Sequence, residues 1–358
     1  MQLSFTPTLE REEVASRLDR LLVPGSILDA GLEHRIDRLA RAFQGCAASY
    51  PLPLWAPGLV IDNEMRGLTE ALFPMAQARS LIDLTLRRGC RFSPQLSGSY
   101  LHTAPTWLDL LHKLRPQLLK ADPAPLLRGL AVDPERRRRF LFALLLPHHY
   151  GGTFDRYPRQ SQWLKGWLSD NLERLKGRMR ALDSACGSGE GTYGLAELVL
   201  AAGYGGRGSA VHGSTLEPIE LFAAAHAFFP HDPEREREYR TRVAPLLFKA
   251  DAGSGAAPHR VAIEFYLDEV GACGARERYD VILCNGLLGG PLLHETVELS
   301  QALGALAARL APGGVLLAAD RFHAGWRLRV PAEQLRQLMR QHGLTPLAVP
   351  EGVGGVRA

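Results

Sequence analysis

The chemistry in this chain concentrates in one stretch, RALDSACGSGEGTYGLAELVL, Arg180 to Leu200. A short apolar run leads into a glycine-rich turn, and helix-forming residues follow at once. A turn of this kind exposes backbone N–H groups at the positive end of a helix dipole. Gly187 and Gly189 lack the side chains that would keep a ligand away from that backbone. Glu190 comes immediately after. A carboxylate there repels a pyrophosphate and suits a ribose hydroxyl or a cation, so the turn is read as the seat of a nucleoside carrying positive charge. The alternative is a helix-start acid that gains about 0.3–1 kcal/mol from the dipole. Asp183 is read as support for the turn through backbone N–H groups.

The elements that would position this turn alternate from Ala181 onward. Strands are predicted at Arg180–Cys186, Ser209–Ser214, Arg260–Tyr266, Tyr279–Cys284, Val315–Ala319 and Thr345–Val349. Helices are predicted between them at Tyr193–Ala202, Pro218–Phe229, His294–Leu310 and Pro331–His342. Such alternation implies an α/β fold, a parallel sheet with helices on both faces. Ligands of such sheets bind at the carboxyl ends of the strands. The glycine turn, Thr215, Leu267-Asp268 and Cys284-Asn285 all fall on that edge. His231–Arg242 reads as a charged segment and Asp251–Pro258 as a Gly/Ala/Ser loop.

Residues 1–150 form a mostly helical N-terminal domain, and 151–358 carry the sheet, with a polar connector over 147–160. Apolar residues recur at helical spacing in Val14–Leu22, Leu32–Phe43 and Met65–Leu86. Asp133-Pro134-Glu135 opens a further helix with a capping acid and Pro at the first helical position. That helix carries Arg136 to Arg139, which point around all sides of it. Another helix is expected over Gln162–Arg178.

The chain has 358 residues, 46% hydrophobic and 22% charged, the balance of an ordinary soluble protein. No apolar run approaches about 18 residues, which argues against membrane insertion, and the start lacks the pattern of a signal peptide. Five scattered cysteines, without a CxxC pair, point to a cytoplasmic location and to no metal site. The net charge of +4 is uneven. Residues 1–180 hold 26 basic and 18 acidic residues, and the remainder 16 and 20. A basic first half suits an acidic protein partner or a set of solvated helix faces. No aromatic-interleaved basic strand speaks for nucleic acid.

Four segments follow the glycine turn in order: VHGSTLEPIELFAAA, VAIEFYLDEV, YDVILCNGLL and LAPGGVLLAADRF. Together the five resemble the class I S-adenosylmethionine (SAM)-dependent methyltransferases, with their Rossmann-like sheet. Gly189-Glu190, Tyr193 and Leu195-Ala196 are similar to the Gly-Glu-x-x-Tyr-x-Leu-Ala signature of the chemotaxis-receptor glutamate methyltransferases, the CheR family. Phe154-Asp155-Arg156-Tyr157-Pro158 resembles that family's Phe-Phe-Arg-Asp-Pro motif, and YDVILCNG its Phe-Asp-x-Ile-Phe-Cys-Arg-Asn block.

The resemblance implies SAM as cofactor, S-adenosylhomocysteine (SAH) as product, and an acceptor carboxylate on an acidic protein such as a chemoreceptor cytoplasmic region. It places Ala185, Cys186, Gly187, Gly189 and Glu190 around the methionine and ribose. Arg156, with Thr153, would reach the methionine carboxylate or the incoming substrate carboxylate from the connector. Thr215 and Glu217 would stand near the ribose, Leu267 and Asp268 would flank the adenine, and Cys284 and Asn285 would line the floor. Arg156 and Tyr193 would be the catalytic residues. The sequence departs from the family where an acid should end the second strand, which is Thr215 here, and where Leu288-Gly289-Gly290 replace an expected Tyr. A substrate carboxylate is already ionised at neutral pH, so methyl transfer to it needs no general base. The alternatives are a degenerate fold that senses a nucleoside or scaffolds a partner, and a methyltransferase for a small molecule.

Overall fold

Helical spacing of apolar residues dominates residues 11–146, and the structure, a computed structural model, folds them as α1 (Arg11–Leu18), α2 (Ala30–Ser49), α3 (Asn63–Leu72), α4 (Met75–Asp83), α5 (Tyr100–Thr103), α6 (Trp107–Leu114), α7 (Ala124–Val132) and α8 (Pro134–Leu145). It describes residues 3–49, 62–90, 98–114, 122–146, 153–206, 208–247, 260–270, 277–319 and 329–358. The chain forms two compact units, one of residues 11–147 and 229–233, the other of 1–10, 148–228 and 234–358.

In the helical unit, the helix expected over Met65–Leu86 is two. Pro74 has no N–H to continue α3 and instead precedes α4 with φ −57°. Phe73 is fully enclosed there, edge-on to Trp107 at 5.2 Å. The start of α8 is capped as its sequence predicts, Asp133 accepting from the Arg136 N–H at 3.0 Å. The four arginines that follow have different fates. Arg137 is buried and donates to the carbonyls of Leu130 at 3.0 Å, Ala131 at 3.2 Å, Val23 at 3.1 Å and Gly25. Arg136 lies over Gly129, where any Cβ would collide with its guanidinium. Arg138 pairs with Glu135 on the surface.

The second unit is built on β1 (Ser4–Phe5), β2 (Arg180–Ser184), β3 (Ala210–Thr215), β4 (Ala262–Leu267), β5 (Tyr279–Leu283), β6 (Leu310–Ala319), β7 (Leu344–Leu347) and β8 (Gly352–Arg357). Its helices are α9 (Pro158–Asp170), α10 (Glu190–Ala201), α11 (Pro218–His226), α12 (Pro233–Leu247), α13 (Thr296–Arg309) and α14 (Ala332–Gln341). The sheet order is β1-β4-β3-β2-β5-β6-β8-β7. Strands β4, β3, β2, β5 and β6 are parallel; β8 runs against β6 and β7, and β1 against β4. Ala181, Val281 and Val315 share one register line and Leu182, Ile282 and Leu316 the next, and all are buried. Burial of both alternate sets is the mark of a sheet covered on both faces. One set packs with Leu299, Leu303, Leu306, Leu335 and Met339 of α13 and α14.

Three elements depart from the sequence reading. The charged segment His231–Arg242 lies largely in a helix, α12, which contains Pro245. A strand, β8, forms from GVGGVR, beyond the last strand expected at Thr345–Val349. Residues at the start of the chain supply the edge strand β1. The Gly/Ala/Ser loop Asp251–Pro258 and most of the first half of the connector, with His148 and His149, lie outside the described residues. No helix among the described residues is long and apolar enough to cross a membrane.

Candidate functional site

Strand β2 sits between β3 on one side and β5 on the other. The chain order reverses there, the place where open α/β sheets take their ligands, outside the carboxyl ends of the strands. The glycine turn leaves β2 at this point. Ala185 adopts φ +67°, an uncommon conformation for a residue with a side chain, and Gly187 and Gly189 adopt +55° and +91°. The Cys186 N–H donates to Ser214 O at 2.8 Å, fastening the turn to the end of β3. The two glycines differ in surroundings. A Cβ on Gly189 would lie 2.7 Å from Ala224 Cβ and 2.9 Å from the Tyr239 hydroxyl. A Cβ on Gly187 would meet nothing within 4 Å. Gly189 is therefore required by packing, while Gly187 borders open space.

Glu190 opens α10 and is 5% exposed. Ser188 Oγ donates to its two carboxylate oxygens at 3.1 and 2.8 Å. Arg235, from α12, donates to Glu190 Oε1 at 2.7 Å and to Ser188 Oγ at 2.8 Å. One turn further along α12, the Tyr239 hydroxyl donates to Ser188 O. Residues four apart share a helix face, so α12 closes on the glycine turn through this pair.

Two more carboxyls stand close by. Asp183 is buried beneath Gly191 and accepts from the Thr192 hydroxyl at 2.8 Å. Burial pushes its carboxyl up to about 7, and Glu190 adds to the shift against the Thr192 hydrogen bond. Thr192 is thus the partner of Asp183 where backbone N–H groups were expected. On α11, Glu220 accepts from the Thr215 hydroxyl at 2.8 Å. Its carboxyl also rises to about 7 through burial, with the Thr215 hydrogen bond opposing and Glu190 reinforcing the shift. Glu220, in the first turn of α11, thus places a carboxyl beside Thr215 at the end of β3. Burial pushes the Cys186 and Cys284 thiols up, which keeps both protonated and poorly nucleophilic.

On the other side of β2, the Asn285 side chain follows β5. Its amide exchanges two hydrogen bonds with Gln160 of α9, at 2.9 and 3.3 Å, and accepts from the Ala319 N–H at 2.7 Å. The start of α9 is held by Glu351, which accepts from the Arg159 and Gln160 N–H groups at 2.9 and 3.3 Å. This fixes the connector, and Arg156 lies over Gly286, its Nη1 3.3 Å from where a Cβ would be. The guanidinium also stands 4.9 Å from the centre of the Tyr157 ring.

The parallel strands thus bring Cys186–Glu190, Thr215, Leu267, Cys284, Asn285 and Arg156 to one edge, and four expectations change in detail. Tyr193 is fully buried; its hydroxyl donates to Ala224 O at 2.9 Å and its ring packs on Phe265 and Tyr239, so it is a core residue with no surface for a reacting group. Asp268 accepts from Arg309 at 2.7 Å, a guanidinium 7% exposed, so its carboxylate serves that ion pair. Its N–H donates to Thr215 O at 3.0 Å, joining the ends of β3 and β4. Glu217 is the buried N-cap residue of α11, its N–H donating to Thr215 Oγ1 at 3.3 Å. Thr153 is exposed on the connector. Arg235, Tyr239 and Glu220 were not anticipated from the sequence. The i, i+4 pairing of Arg235 with Tyr239 was the available signal, hidden by the dense charge of EREREYR.

Numbered in chain order without β1, the strands read 3-2-1-4-5-7-6, with the penultimate one reversed. With the glycine turn after the first of them, this is a Rossmann-like fold of the class I methyltransferase type. No protein-family model and no curated protein matches the chain. Solved structures with a similar fold include the sugar N-methyltransferase KedS8 from Streptoalloteichus sp, at 18% identity and a TM-score of 0.36, covering 58% of this chain and 89% of that one. The N-methyltransferase NodS from Bradyrhizobium japonicum, solved with SAH, is 16% identical with a TM-score of 0.36 over 63% of this chain and 99% of that one. The amino pentose methyltransferase CalS10 from Micromonospora echinaspora, solved with SAM, is 15% identical with a TM-score of 0.35 over 55% and 92%.

Proposed function

We propose that the chain is a SAM-dependent methyltransferase that transfers the methyl group to a carboxylate, in the manner of the chemotaxis-receptor glutamate methyltransferases it resembles. The observation that carries the reading is the turn at Ala185–Glu190. Its backbone is held in left-handed conformations, it borders open space at Gly187, and the Glu190 carboxylate follows it at the start of α10. These residues fit SAM: the glycines admit a close ligand, and Glu190 with its neighbouring acids suits a positively charged one.

SAM supplies the transferable methyl on a sulfonium. The protein supplies alignment and the exclusion of water. Gly187 and Gly189 shape the backbone seat, Thr215 and Glu220 offer a hydroxyl and a carboxyl near the end of β3, and Leu267 gives an apolar wall. Cys284 closes the floor as a protonated thiol, and Asn285 locks α9 to the sheet. Arg156 stands over the end of β5 as the cation for an acceptor carboxylate. That carboxylate attacks as the anion, and no proton moves. An acidic protein is the proposed partner, and a cytoplasmic setting follows from the same reading.

Isothermal calorimetry with SAM and SAH tests the reading. Binding in the micromolar range is expected, reduced at least tenfold in Glu190→Gln. Absence of binding at millimolar ligand by the folded protein would reject it. With labelled SAM and a cell extract, base-labile label on protein is expected for a carboxyl ester. A second reading, a small-molecule acceptor, is favoured by the buried leucines 287, 288 and 293 after β5, and label in the organic-soluble fraction would select it.

A further inference from the structure

Tyr239 touches both the glycine turn and the connector, and the proposed function gives it no task. Helix α12 has 15 residues, of which Tyr239 and Val243 are buried. The Tyr239 hydroxyl donates to Ser188 O. At the other end of the same peptide group, the Gly189 N–H donates to Cys186 O at 2.9 Å. The Ser188–Gly189 peptide is therefore pinned on both sides. The turn needs such pins. Gly187 and Gly189, at φ +55° and +91°, resist rotation little, because a glycine backbone passes readily between conformations. Phenylalanine would serve if packing were the whole purpose of this position. A buried hydroxyl is costly unless it is hydrogen-bonded, and this one gives its hydrogen bond to the turn. Burial, reinforced by Glu190, pushes the phenol well up, so it stays a donor at neutral pH.

The ring of the same residue serves the connector. The Phe154 ring stands 5.1 Å from it. The Arg242 guanidinium lies 5.5 Å from the Phe154 ring centre and pairs with Glu197 of α10 at 2.6 Å. Phe154 also runs close along α10, since a Cβ on Gly194 would stand 3.3 Å from its carbonyl oxygen. Two residues on, Arg156 lies over Gly286. Two residues of extended chain reach about 7 Å, so Arg156 cannot shift far while Phe154 is held. We propose that Tyr239 is a positioning residue for methyl transfer. Its hydroxyl fixes the turn that seats the donor, its ring fixes the connector that carries Arg156, and one side chain thus registers the two against each other. The proposal rests on the methyltransferase reading of the turn. In-line transfer demands that register, because a misplacement of about 1 Å costs on the order of 10²-fold in rate. Tyr239 acts through Ser188 and Phe154 rather than on the reacting groups.

Two substitutions in the full chain separate the hydroxyl from the ring. Tyr239→Phe removes the pin on Ser188 and keeps the ring; Tyr239→Leu removes both. Val243→Ala, a buried truncation one turn along α12, controls for lost helix packing. Calorimetry reads SAH affinity, stopped-flow fluorescence reads the association rate, and hydrogen exchange at saturating SAH reads the protection of amides 154–157. Tyr239→Phe should weaken SAH about 3- to 10-fold, the size of one neutral hydrogen bond. Its association rate should level off with rising SAH, because only a fraction of the molecules hold the turn in the receiving form. Exchange over 154–157 should match the unaltered protein in Tyr239→Phe and rise about tenfold or more in Tyr239→Leu. Val243→Ala should leave affinity, association and exchange within twofold. Unchanged affinity in Tyr239→Phe, equal weakening in Val243→Ala, or unchanged connector exchange in Tyr239→Leu overturns the proposal. Should Tyr239→Leu fail to fold, Tyr239→Phe, which keeps the ring packing, decides through affinity and association rate. If the unaltered protein binds neither SAM nor SAH, the methyltransferase reading falls and the positioning role with it. If it binds both without regard to Tyr239, only the positioning role falls.

Discussion

Arg137 of the helical unit and Arg235 of the sheet unit are both largely withdrawn from water, and the two are held in opposite ways. Arg137 in the helical unit is 2% exposed and donates to four backbone carbonyls spread over two segments of chain. Arg235 in the sheet unit shares its charge with one carboxylate and one hydroxyl. Carbonyls at the end of α7 and in the loop at Val23–Gly25 cannot move without unfolding what surrounds them. A carboxylate and a guanidinium on two side chains depend only on each other's rotamers. The first arrangement braces the backbone and the second joins side chain to side chain.

The sharpest break of the comparison is Arg137→Met. It strands buried carbonyls and should cost the helical unit roughly 3–5 kcal/mol, read as a drop in urea midpoint. Its effect on SAM affinity should be within twofold. If SAM binding were lost in the folded variant, the brace and the glycine-turn site would not be separable.

Next in size is the contrast between the two glycines of the turn. Gly189→Ala brings a Cβ into Ala224 and Tyr239 at a positive φ and should destabilise by about 2–4 kcal/mol. Gly187→Ala meets no neighbour; it should cost about 1–2 kcal/mol from its φ alone yet weaken SAM more than tenfold, because the new methyl projects into the ligand's approach. Equal stability losses, or undiminished SAM affinity in Gly187→Ala, would remove the distinction drawn between them.

A pH series follows. Asp183 and Glu220 titrate near 7 in the folded protein, above their unfolded values near 4. The folded state therefore holds protons that the unfolded state releases, so their contribution to stability is greatest below about pH 4, falls as pH rises to about 7 and is then flat. Asp183→Asn should flatten the stability slope across that window by on the order of 1–3 kcal/mol, measured by chemical unfolding at several pH values. A cationic ligand favours the ionised acids, so SAM binding should release protons near pH 7. Calorimetry in buffers of different ionisation enthalpy reads that release. Smallest of all, Arg138→Ala removes an exposed pair with Glu135 and should change stability by less than about 0.5 kcal/mol, which sets the scale for a surface arginine next to the buried one.

The sheet was largely legible because buried parallel strands are nearly continuous apolar runs, and VILC, VLLAA and the run into Asp183 stand out between helices. The glycine turn was legible because its residue types have few other uses. What escaped was decided by distant partners. Segment GVGGVR becomes a strand because β6 and β7 offer their edges to it. The helix α12 forms from a run of alternating charges because Arg235, Tyr239 and Val243 face inward from it. Tyr193 and Asp268 looked like site residues by position along the chain. Local order cannot report that Ala224 O or Arg309 stands opposite them.

The short strand β1 has a consequence for how the chain is made. Ser4 pairs with Tyr266 and Phe5 with Phe265, Thr8 donates its N–H to Ala225 O, and Phe5 is buried against Phe222 and His226. The helical unit is thus inserted between the first strand and the rest of the sheet. Synthesis delivers residues 4 and 5 long before their partners. They must wait, unpaired, while the whole helical unit and the first half of the sheet are translated. Closing that contact is the most non-local event in the sheet, and contacts of that kind slow folding. Until it occurs, the β4 edge stays open to other strands.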